Sequence, residues 1–352
     1  MSRRYELDSD GLAFNRAIDE LGWGDGLPCV APTTELVEQY IEASGRRADE
    51  VVGVLAPRWA DCTVEKIAIN AAMTLAPSAA MPLLIAAVEA LSTDDFGLAG
   101  VNATTASVSP ALIVNGPAGE SLGLPSGHSC FGGMRGPAPS IGRALRLVMR
   151  HVAGQEPGVT SESVFGQPAR VAGLVVQEAA AHSPWAPLAE RRGVPGDAVT
   201  VYAAMGTTNV VDTIAETGAE LLHFLGRSAG FMGSNGFLAA TAFSEVAIAL
   251  NPVWARIVAM EYPDMADVQR VLWENASIPL SEFPEVVRPG IADRADAQGR
   301  VHVVHSPDDV LVFVAGGSGS LHGAVLPGFS HSLAVTRPIS LPSAGATEEV
   351  RP

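Results

Sequence analysis

Apolar residues recur every three to four positions in several stretches of the chain, which is the spacing of an amphipathic helix. In PTTELVEQYIEASG the apolar positions share one face, two threonines precede them as possible caps, and Gly45 follows them. The stretches NPVWARIVAM and DMADVQRVLWENA begin with Asn251 and Asp264, two residue types that cap helices well. Further helices are predicted in DCTVEKIAINAAMTL, in SAAMPLLIAAVEAL and, with Ser140 as its cap, in SIGRALRLVMRHV.

Other stretches are continuous apolar runs bounded by turn-forming residues, which indicates strands. These runs cover residues 110–116, 171–178, 199–205, 244–250, 300–305 and 309–317. Continuous runs are typical of strands that helices cover on both faces, as in parallel sheets. Because strands and helices interleave, we predict an α/β fold with buried, mostly parallel strands.

Residues 155–170, QEPGVTSESVFGQPAR, are polar and rich in turn formers, so we expect a boundary there. It divides the chain into an N-terminal α/β half (1–160), a C-terminal α/β half (161–340) and a flexible tail (341–352). Each half contains an apolar strand that runs into a glycine loop, LIVNGPAGESLG and VFVAGGSGSLHG. Two interpretations stay open: the halves are related, or a common type of turn occurs twice.

Composition and charge narrow the class of protein. With 47% hydrophobic and 17% charged residues, the chain is not intrinsically disordered. A net charge of −16 repels nucleic acids and anionic membranes, and the longest apolar stretch, MPLLIAAVEAL, is too short to span a bilayer. Cys29, Cys62 and Cys130 form no CxxC pair, and the N-terminus lacks a secretory signal, so we expect free thiols and a cytoplasmic protein.

Candidate chemistry lies in the loop after the first strand, IVNGPAGESLGLPSGHSCFGG, residues 113–133. Cys130 is a potential nucleophile and His128 a potential base. Glu178 follows the next strand and could supply a general acid or base. One hypothesis is therefore a self-contained lyase, cyclase or hydrolase that uses these three residues. The other interpretation of Cys130 is an inert, buried thiol.

Arg143 lies in the first turn of the predicted helix SIGRALRLVMRHV. A guanidinium beside free N–H groups offers a site for an anion or a carboxylate. Together with Arg146 and Arg150 it could equally form a solvated helix face. We expect Arg143 to close a pocket of which the 113–133 loop forms one wall.

Two further motifs are weak evidence for a metal site and for a dinucleotide-binding site. On a strand, His302 and His305 would point to opposite faces, so HVVH predicts no shared metal ion. The loop GGSGSLHG, 316–323, follows a strand but lacks the helix and the later acidic residue of a dinucleotide-binding fingerprint. We predict no metal site, and the sequence identifies no cofactor.

Six short segments, in order along most of the chain, resemble a poorly characterised bacterial family whose members occur beside UGSC-motif (seleno)proteins. The segments are DGLPCVAPT, TVEKIAINAAM, IVNGP, IGRALRL, SPWAPLAERRG and LVFVAGGSG. The small partner of that family looks like the selenocysteine subunits of glycine and proline reductases. The resemblance implies that this chain binds a substrate and presents it to a thiol or selenol on another polypeptide.

The matching segments also imply site residues. They are Glu65 and Lys66 as catalytic residues, and Asn70, Asn115, Gly116, Arg143, Ser183 and Trp185 as substrate-binding residues. Lys66 and Asn70 are one helical turn apart, so they share a face and suit a carbonyl or carboxylate group.

We therefore expect a substrate-binding or catalytic component of a bacterial enzyme, either an oxidoreductase component or a lyase. It would act on a small polar metabolite with a small UGSC-type thiol or selenol partner in carbon–heteroatom bond chemistry. The alternatives are the self-contained enzyme above and a non-catalytic assembly protein. A homo- or hetero-oligomer is expected, because an apolar chain with few charges suits buried subunit contacts.

Overall fold

The computed structural model describes residues 2–7, 10–132 and 135–342. Of the predicted tail, residues 343–352 lie outside this range. The first helices are α1 (Gly11–Glu20), α2 (Thr34–Ser44), α3 (Val64–Met73), α4 (Met81–Leu91), α5 (Leu98–Ala103), α6 (Pro117–Ser121) and α7 (Ala138–Val148). The later helices are α8 (Ala169–Ala172), α9 (Leu188–Arg191), α10 (Gly218–Ala229), α11 (Pro252–Glu261), α12 (Met265–Asn275) and α13 (Arg288–Ile291).

The strands of the first part are β1 (Val51–Leu55), β2 (Ala60–Thr63), β3 (Ser109–Asn115), β4 (Leu174–Gln177) and β5 (Ala198–Ala204). Those of the second are β6 (Thr208–Val211), β7 (Val246–Leu250), β8 (Ser277–Pro279), β9 (Arg300–His302), β10 (Val310–Val314), β11 (His322–Pro327) and β12 (Val335–Pro338). Strands and helices interleave, which confirms the α/β class.

Two four-stranded sheets form the centre of the molecule, in the orders β12-β5-β3-β4 and β6-β11-β7-β10. In the first sheet β3 and β4 are parallel, whereas β5 runs antiparallel to both β3 and β12. The second sheet has the same directions, with β7 and β10 parallel and β11 antiparallel to its two neighbours. The sheets are thus mixed rather than mostly parallel.

The two sheets have the same strand order when β3, β4, β5 and β6 are matched with β7, β10, β11 and β12, and the last strand of each set lies in the sheet of the other set. After β5 the chain crosses to the second sheet and forms its edge strand β6; after β11 it crosses back and forms β12 at the edge of the first sheet. The two sets thus share one strand order and exchange their edge strands. The predicted boundary at 160 falls inside the connection from β3 to its neighbour β4, so it does not separate the two sheets.

The molecule has four layers, helix–sheet–sheet–helix, because alternate residues of each strand face opposite sides. In β3, Leu112 packs with α3, α4 and α7 in one outer layer, while Ile113 faces the second sheet. In β7, Ile248 packs with α10, α11 and α12 in the other outer layer, while Ala249 faces the first sheet. Coverage on both faces explains the continuous apolar runs although most strand pairs are antiparallel.

Several helices begin where their capping residues predict. The side chains of Thr33, Asn251 and Asp264 accept hydrogen bonds from backbone N–H groups of the first turns of α2, α11 and α12. The Ser140 prediction is wrong, because α7 begins at Ala138 and the Ser140 hydroxyl instead donates to the Pro137 carbonyl.

The segment between α7 and β4 matters most for the site. Helix α7 continues into a π-helical turn, Met149–Ala153, which ends at Gly154 with a φ of 83°. Such turns occur often at functional sites, because they widen the helix and redirect side chains. The hairpin of β1 and β2 packs against this turn, and the Arg58 amide donates to the Ala153 carbonyl at 3.1 Å.

Candidate functional site

A small pocket lies where α3, the β1–β2 hairpin and the π-helical turn meet. Its volume is about 280 Å³. The residues that line it are Ser2, Arg58, Ala60, Lys66, Ile69, Asn70, His151 and Val152. Two of the predicted site residues, Lys66 and Asn70, therefore share one hollow. We call it the basic pocket.

Helix α3 positions these two side chains. The Thr63 hydroxyl caps the helix by accepting from the Lys66 amide at 3.3 Å, and Asn70 follows Lys66 by one turn. The Lys66 ammonium donates to the Asp61 carbonyl at 2.5 Å. Glu65, the neighbouring predicted residue, accepts from the Ser2 amide and hydroxyl at 2.8 and 3.0 Å. Glu65 thus ties the N-terminal segment to the pocket rim and is not part of the lining.

Arg58 comes from the turn between β1 and β2. Its guanidinium donates to the His151 carbonyl at 3.2 Å. Arg58 can lie this close to the π-helical turn because position 154 is glycine: a Cβ there would be 2.4 Å from Arg58 Nε. Among the residues that the structure describes, Arg58 forms no other side-chain hydrogen bond, so further N–H donors remain for a ligand.

His151 completes the pocket with an unusual set of contacts. Its Nε2 lies 2.9 Å from the Trp23 carbonyl, and its Nδ1 lies 2.6 Å from Asn70 Oδ1. The Asn70 orientation is fixed because its amide group donates to the Lys66 carbonyl at 2.8 Å. Both ring nitrogens of His151 therefore face acceptors, and only the protonated, doubly donating imidazole satisfies both.

Electrostatically, the basic pocket contrasts with the protein around it. The chain carries a net charge of −16, yet the pocket lining contains no Asp or Glu. Among the residues that the structure describes, neither Lys66 nor Arg58 forms an ion pair. Burial lowers the pKa of His151, with the Trp23 carbonyl acting in the opposite direction. In the described part of the chain, the pocket thus gathers unpaired cations around one half-buried imidazole.

The sequence analysis did not identify two residues of the basic pocket, Arg58 and His151. It also left unused one signal that indicates where the pocket lies. Lys66 is the only lysine of the chain, and every other one of the 22 Lys and Arg residues is arginine. This single lysine lies in the lining of the basic pocket. Arg58 and His151 carry no comparable local signal, because only the packing of the hairpin against the π-helical turn brings them to α3.

Arg143 does not line the basic pocket. Its guanidinium forms a two-pronged ion pair with Asp25, both distances being 2.7 Å, and also donates to the carbonyls of Leu27 and Pro28 at 2.9 Å. The anion that Arg143 was expected to bind is therefore supplied by the protein itself. Arg143 fastens the 22–29 segment, and this segment carries the Trp23 carbonyl that contacts His151.

Asn115 and Glu178 come together, but away from the residues of the basic pocket. Asn115 Nδ2 donates to Glu178 Oε2 at 2.6 Å, and the same oxygen accepts from the Leu188 amide at 2.8 Å. The other carboxylate oxygen accepts from the Val314 amide at 3.4 Å, and Asn115 Oδ1 accepts from the Ala189 amide at 3.3 Å. We call this set of five residues the α9 junction. It ties the strand ends of both sheets to α9.

Both polar side chains of the α9 junction are 2% exposed. Burial raises the pKa of Glu178, while hydrogen bonds from Asn115 and the backbone oppose the shift. Because both oxygens accept bonds from the protein and the side chain is 2% exposed, Glu178 is not accessible to a substrate. Its geometry is that of a structural staple.

The remaining predicted binding residues also contact protein groups. Gly116, at a φ of 87°, lies where a Cβ would be 2.5 Å from Asp197. The Ser183 hydroxyl and the Trp185 backbone exchange hydrogen bonds at 2.9 and 3.2 Å. The Trp185 indole donates to the Tyr262 carbonyl at 3.3 Å and packs in the second outer layer. Each of these residues is thus engaged by groups of the protein, and Trp185 links its loop to the second outer layer.

Cys130 and His128 differ in exposure: Cys130 is buried and His128 is exposed. Cys130 is 6% exposed between the two sheets, and burial raises the pKa of its thiol to about 11. His128 is exposed and lies against Gly317, where a Cβ would be 2.0 Å from its Nδ1. The other two cysteines are buried as well, and burial raises the pKa of Cys62 to about 12. The geometry lends no support to a Cys130 nucleophile.

A second, larger cleft of about 710 Å³ borders α9 and β12 and contains none of the predicted site residues. Its walls carry charges of both signs. These are Arg191, Arg192 and Arg337 together with Asp95, Asp264 and Asp308. The basic pocket differs because its charges are all of one sign.

Comparison with known proteins adds no family. No protein-family model matches the chain, and no curated protein matches it. In the described part of the chain, no helix has the length and apolarity needed to cross a membrane. Within residues 2–7, 10–132 and 135–342, no three His, Cys, Asp or Glu side chains gather as metal ligands would.

Proposed function

We propose that the basic pocket binds a small anionic metabolite, and that the protein is the substrate-binding component of an enzyme. The observation that carries this proposal is a hollow lined by Arg58, Lys66 and His151 without a carboxylate, in a strongly acidic protein. A carboxylate of the ligand would supply the missing negative charge. The volume of about 280 Å³ suits a metabolite of a few carbon atoms.

The hydrogen bonding of His151 supports an anion in particular. Its two acceptors, Asn70 Oδ1 and the Trp23 carbonyl, favour the protonated ring, whereas burial favours the neutral ring. A nearby anion would tip this balance towards the protonated ring, because an opposite charge stabilises a buried cation. Ligand binding and the internal contacts of the pocket would then stabilise each other.

The state of the cysteines supports a partner protein. All three are buried, and the raised pKa values of Cys62 and Cys130 keep these thiols protonated at neutral pH. A thiol or selenol step would therefore be supplied by another polypeptide. This agrees with the resemblance to the family found beside UGSC-motif proteins. We propose a small protein of that type as the partner.

Binding of oxalate, lactate, glycine and the neutral analogue acetamide, measured by calorimetry, tests the pocket. We expect the carboxylates to bind and acetamide not to bind. Lys66→Met should weaken oxalate binding by about tenfold or more, since one charge-assisted hydrogen bond is lost. Arg256→Gln is the matched control, because Arg256 is exposed on α11 and distant in sequence from the pocket. Equal affinity of all three proteins for oxalate would refute the site.

Co-purification tests the partner. The tagged full chain should retain a recombinant UGSC-motif protein on a column, and turnover should need both proteins. Full turnover by this chain alone, after its thiols have been alkylated, would contradict the division of labour.

A further inference from the structure

The single lysine of the chain suggests a covalent role within the pocket just proposed, on which this inference rests. We infer that Lys66 forms a reversible imine with a small 2-oxo acid, while Arg58 holds the carboxylate of that acid. The substrate class is thus narrowed from small anions to carbonyl compounds that bear a neighbouring carboxylate.

The choice of residue type is the first argument. This chain uses arginine for every cation except one, and the exception lines the basic pocket. Attraction of an anion alone would be served by arginine, which pairs with carboxylates in a planar, bidentate geometry. A lysine differs in that its amine can lose its proton and attack a carbonyl carbon. A nucleophilic amine at position 66 would explain why this position carries lysine and not arginine.

The surroundings of Lys66 supply the second argument. Its ammonium contacts the Asp61 carbonyl, and among the described residues no carboxylate is within ion-pair distance. An amine held in an ion pair is a poor nucleophile, whereas this one has a single neutral acceptor. Helix α3 and the Thr63 cap fix the backbone from which this side chain extends, and Lys66 lines the hollow.

Arg58 gives the third argument. It lines the same hollow from the opposite element, the β1–β2 turn, and its one side-chain hydrogen bond among the described contacts is to the His151 carbonyl. The remaining N–H groups match a carboxylate. A carboxylate on Arg58 and a carbonyl carbon next to it, facing Lys66, describe a 2-oxo acid.

The step balances without a further reagent. The Lys66 ammonium first gives one proton to solvent, and the neutral nitrogen adds to the carbonyl carbon. The carbonyl oxygen then leaves as water with the two amine hydrogens, and a carbon–nitrogen double bond takes the place of the carbon–oxygen double bond. No atom is oxidised or reduced, and hydrolysis reverses the step.

Borohydride trapping with pyruvate tests the inference on the full-length protein. Reduction of the imine should leave one carboxyethyl group, which peptide mass spectrometry should locate on Lys66. The only other primary amine is the α-amino group at the start of the chain, so the background is simple. Lys66→Arg keeps the charge and should lose the pocket adduct, and lactate should protect the wild-type protein.

Arg58→Gln and a neutral ketone separate recognition from reactivity. We expect Arg58→Gln to slow trapping with pyruvate about tenfold and to leave trapping with acetone unchanged. Oxalate binding without any pyruvate adduct on Lys66, or an adduct on the α-amino group only, would overturn the imine while leaving the anion site intact. Absence of both oxalate binding and the adduct would overturn the proposed function as well.

Discussion

The basic pocket and the α9 junction contain the same kinds of side chain but differ in how their polar atoms are satisfied. In the α9 junction, Glu178 and Asn115 are 2% exposed and bonded to the protein on every side. In the basic pocket, Arg58 and Lys66 make one contact each to backbone carbonyls and face a hollow. A fully satisfied group stabilises the fold, whereas a charge without a counter-ion is available to a ligand.

The largest effect should come from the α9 junction. Glu178→Ala would leave the Leu188 and Val314 amides and the Asn115 side chain without their acceptor in a buried place. We expect a loss of about 3 kcal/mol or more in the free energy of unfolding, measured by urea denaturation. Glu190→Ala, at an exposed position of α9, is the control and should change little. If Glu178→Ala were as stable as the control, the junction would not be a staple.

Glu245, the partner of Arg192 at the end of α9, allows a comparison of stability at different pH values. It is 6% exposed, lies 3.6 Å from Arg192, and burial raises its pKa to about 7. The folded protein thus keeps a proton that the unfolded chain has already lost, so this group's contribution to stability falls as the pH rises from 4.5 to about 7.

Glu245→Gln should remove this dependence, because glutamine mimics the protonated acid. At a pH above 7 we expect the variant to be more stable than the wild type by up to about 3 kcal/mol. The two unfolding free energies should converge near pH 5. Parallel pH profiles of the two proteins would show that Glu245 is already ionised in the fold.

Two arginines on the same side of the molecule should respond in opposite ways. Arg58→Gln should weaken oxalate binding about tenfold and leave the unfolding free energy nearly unchanged, because Arg58 faces the hollow. Arg143→Gln should instead cost roughly 1–3 kcal/mol of stability, because it leaves Asp25 without its bidentate partner. A binding defect in Arg143→Gln as large as that of Arg58→Gln, at equal stability, would place Arg143 in the site after all.

The smallest effect concerns His151 and proton uptake. Burial lowers the pKa of His151 and a bound anion would oppose that shift, so oxalate affinity should increase as the pH falls through 6.5, the ordinary histidine value. The groups around the ring that share this electrostatic field are Arg58, Lys66, Asp25, Arg150 and, through its pair with Arg150, Glu156. Oxalate itself stays doubly ionised around this pH.

The slope should not exceed about tenfold per pH unit for one coupled proton. His151→Asn should flatten the profile, and His305→Asn, at an exposed histidine, should not. A flat profile for the wild type would mean that His151 keeps one protonation state with and without the anion.

Local physics made much of the fold predictable. Capping residues located the starts of α2, α11 and α12, and apolar runs located β3, β5 and β7 to within two residues. Ser140 misled because Pro137 takes the cap position and α7 begins three residues earlier than a cap at Ser140 would place it. The exchange of β6 and β12 was not predictable, since it depends on contacts between residues far apart in sequence.

The site was half predictable for the same reason. The resemblance implied Lys66 and Asn70, and their spacing of one helical turn agreed with a common face. Arg58 and His151 reach that face only through the packing of the hairpin against the π-helical turn. The α9 junction misled because a glutamate after a strand looks the same in the sequence whether its oxygens are free or bonded.

The exchanged edge strands bear on how the protein is made. Strand β12 (Val335–Pro338) belongs to a sheet whose other members are complete by residue 204. During translation, more than a hundred further residues must be synthesised after β5 before β12 can pair with it. Until then, one edge of β5 stays unpaired. Nascent chains halted before β12 should therefore depend on chaperones.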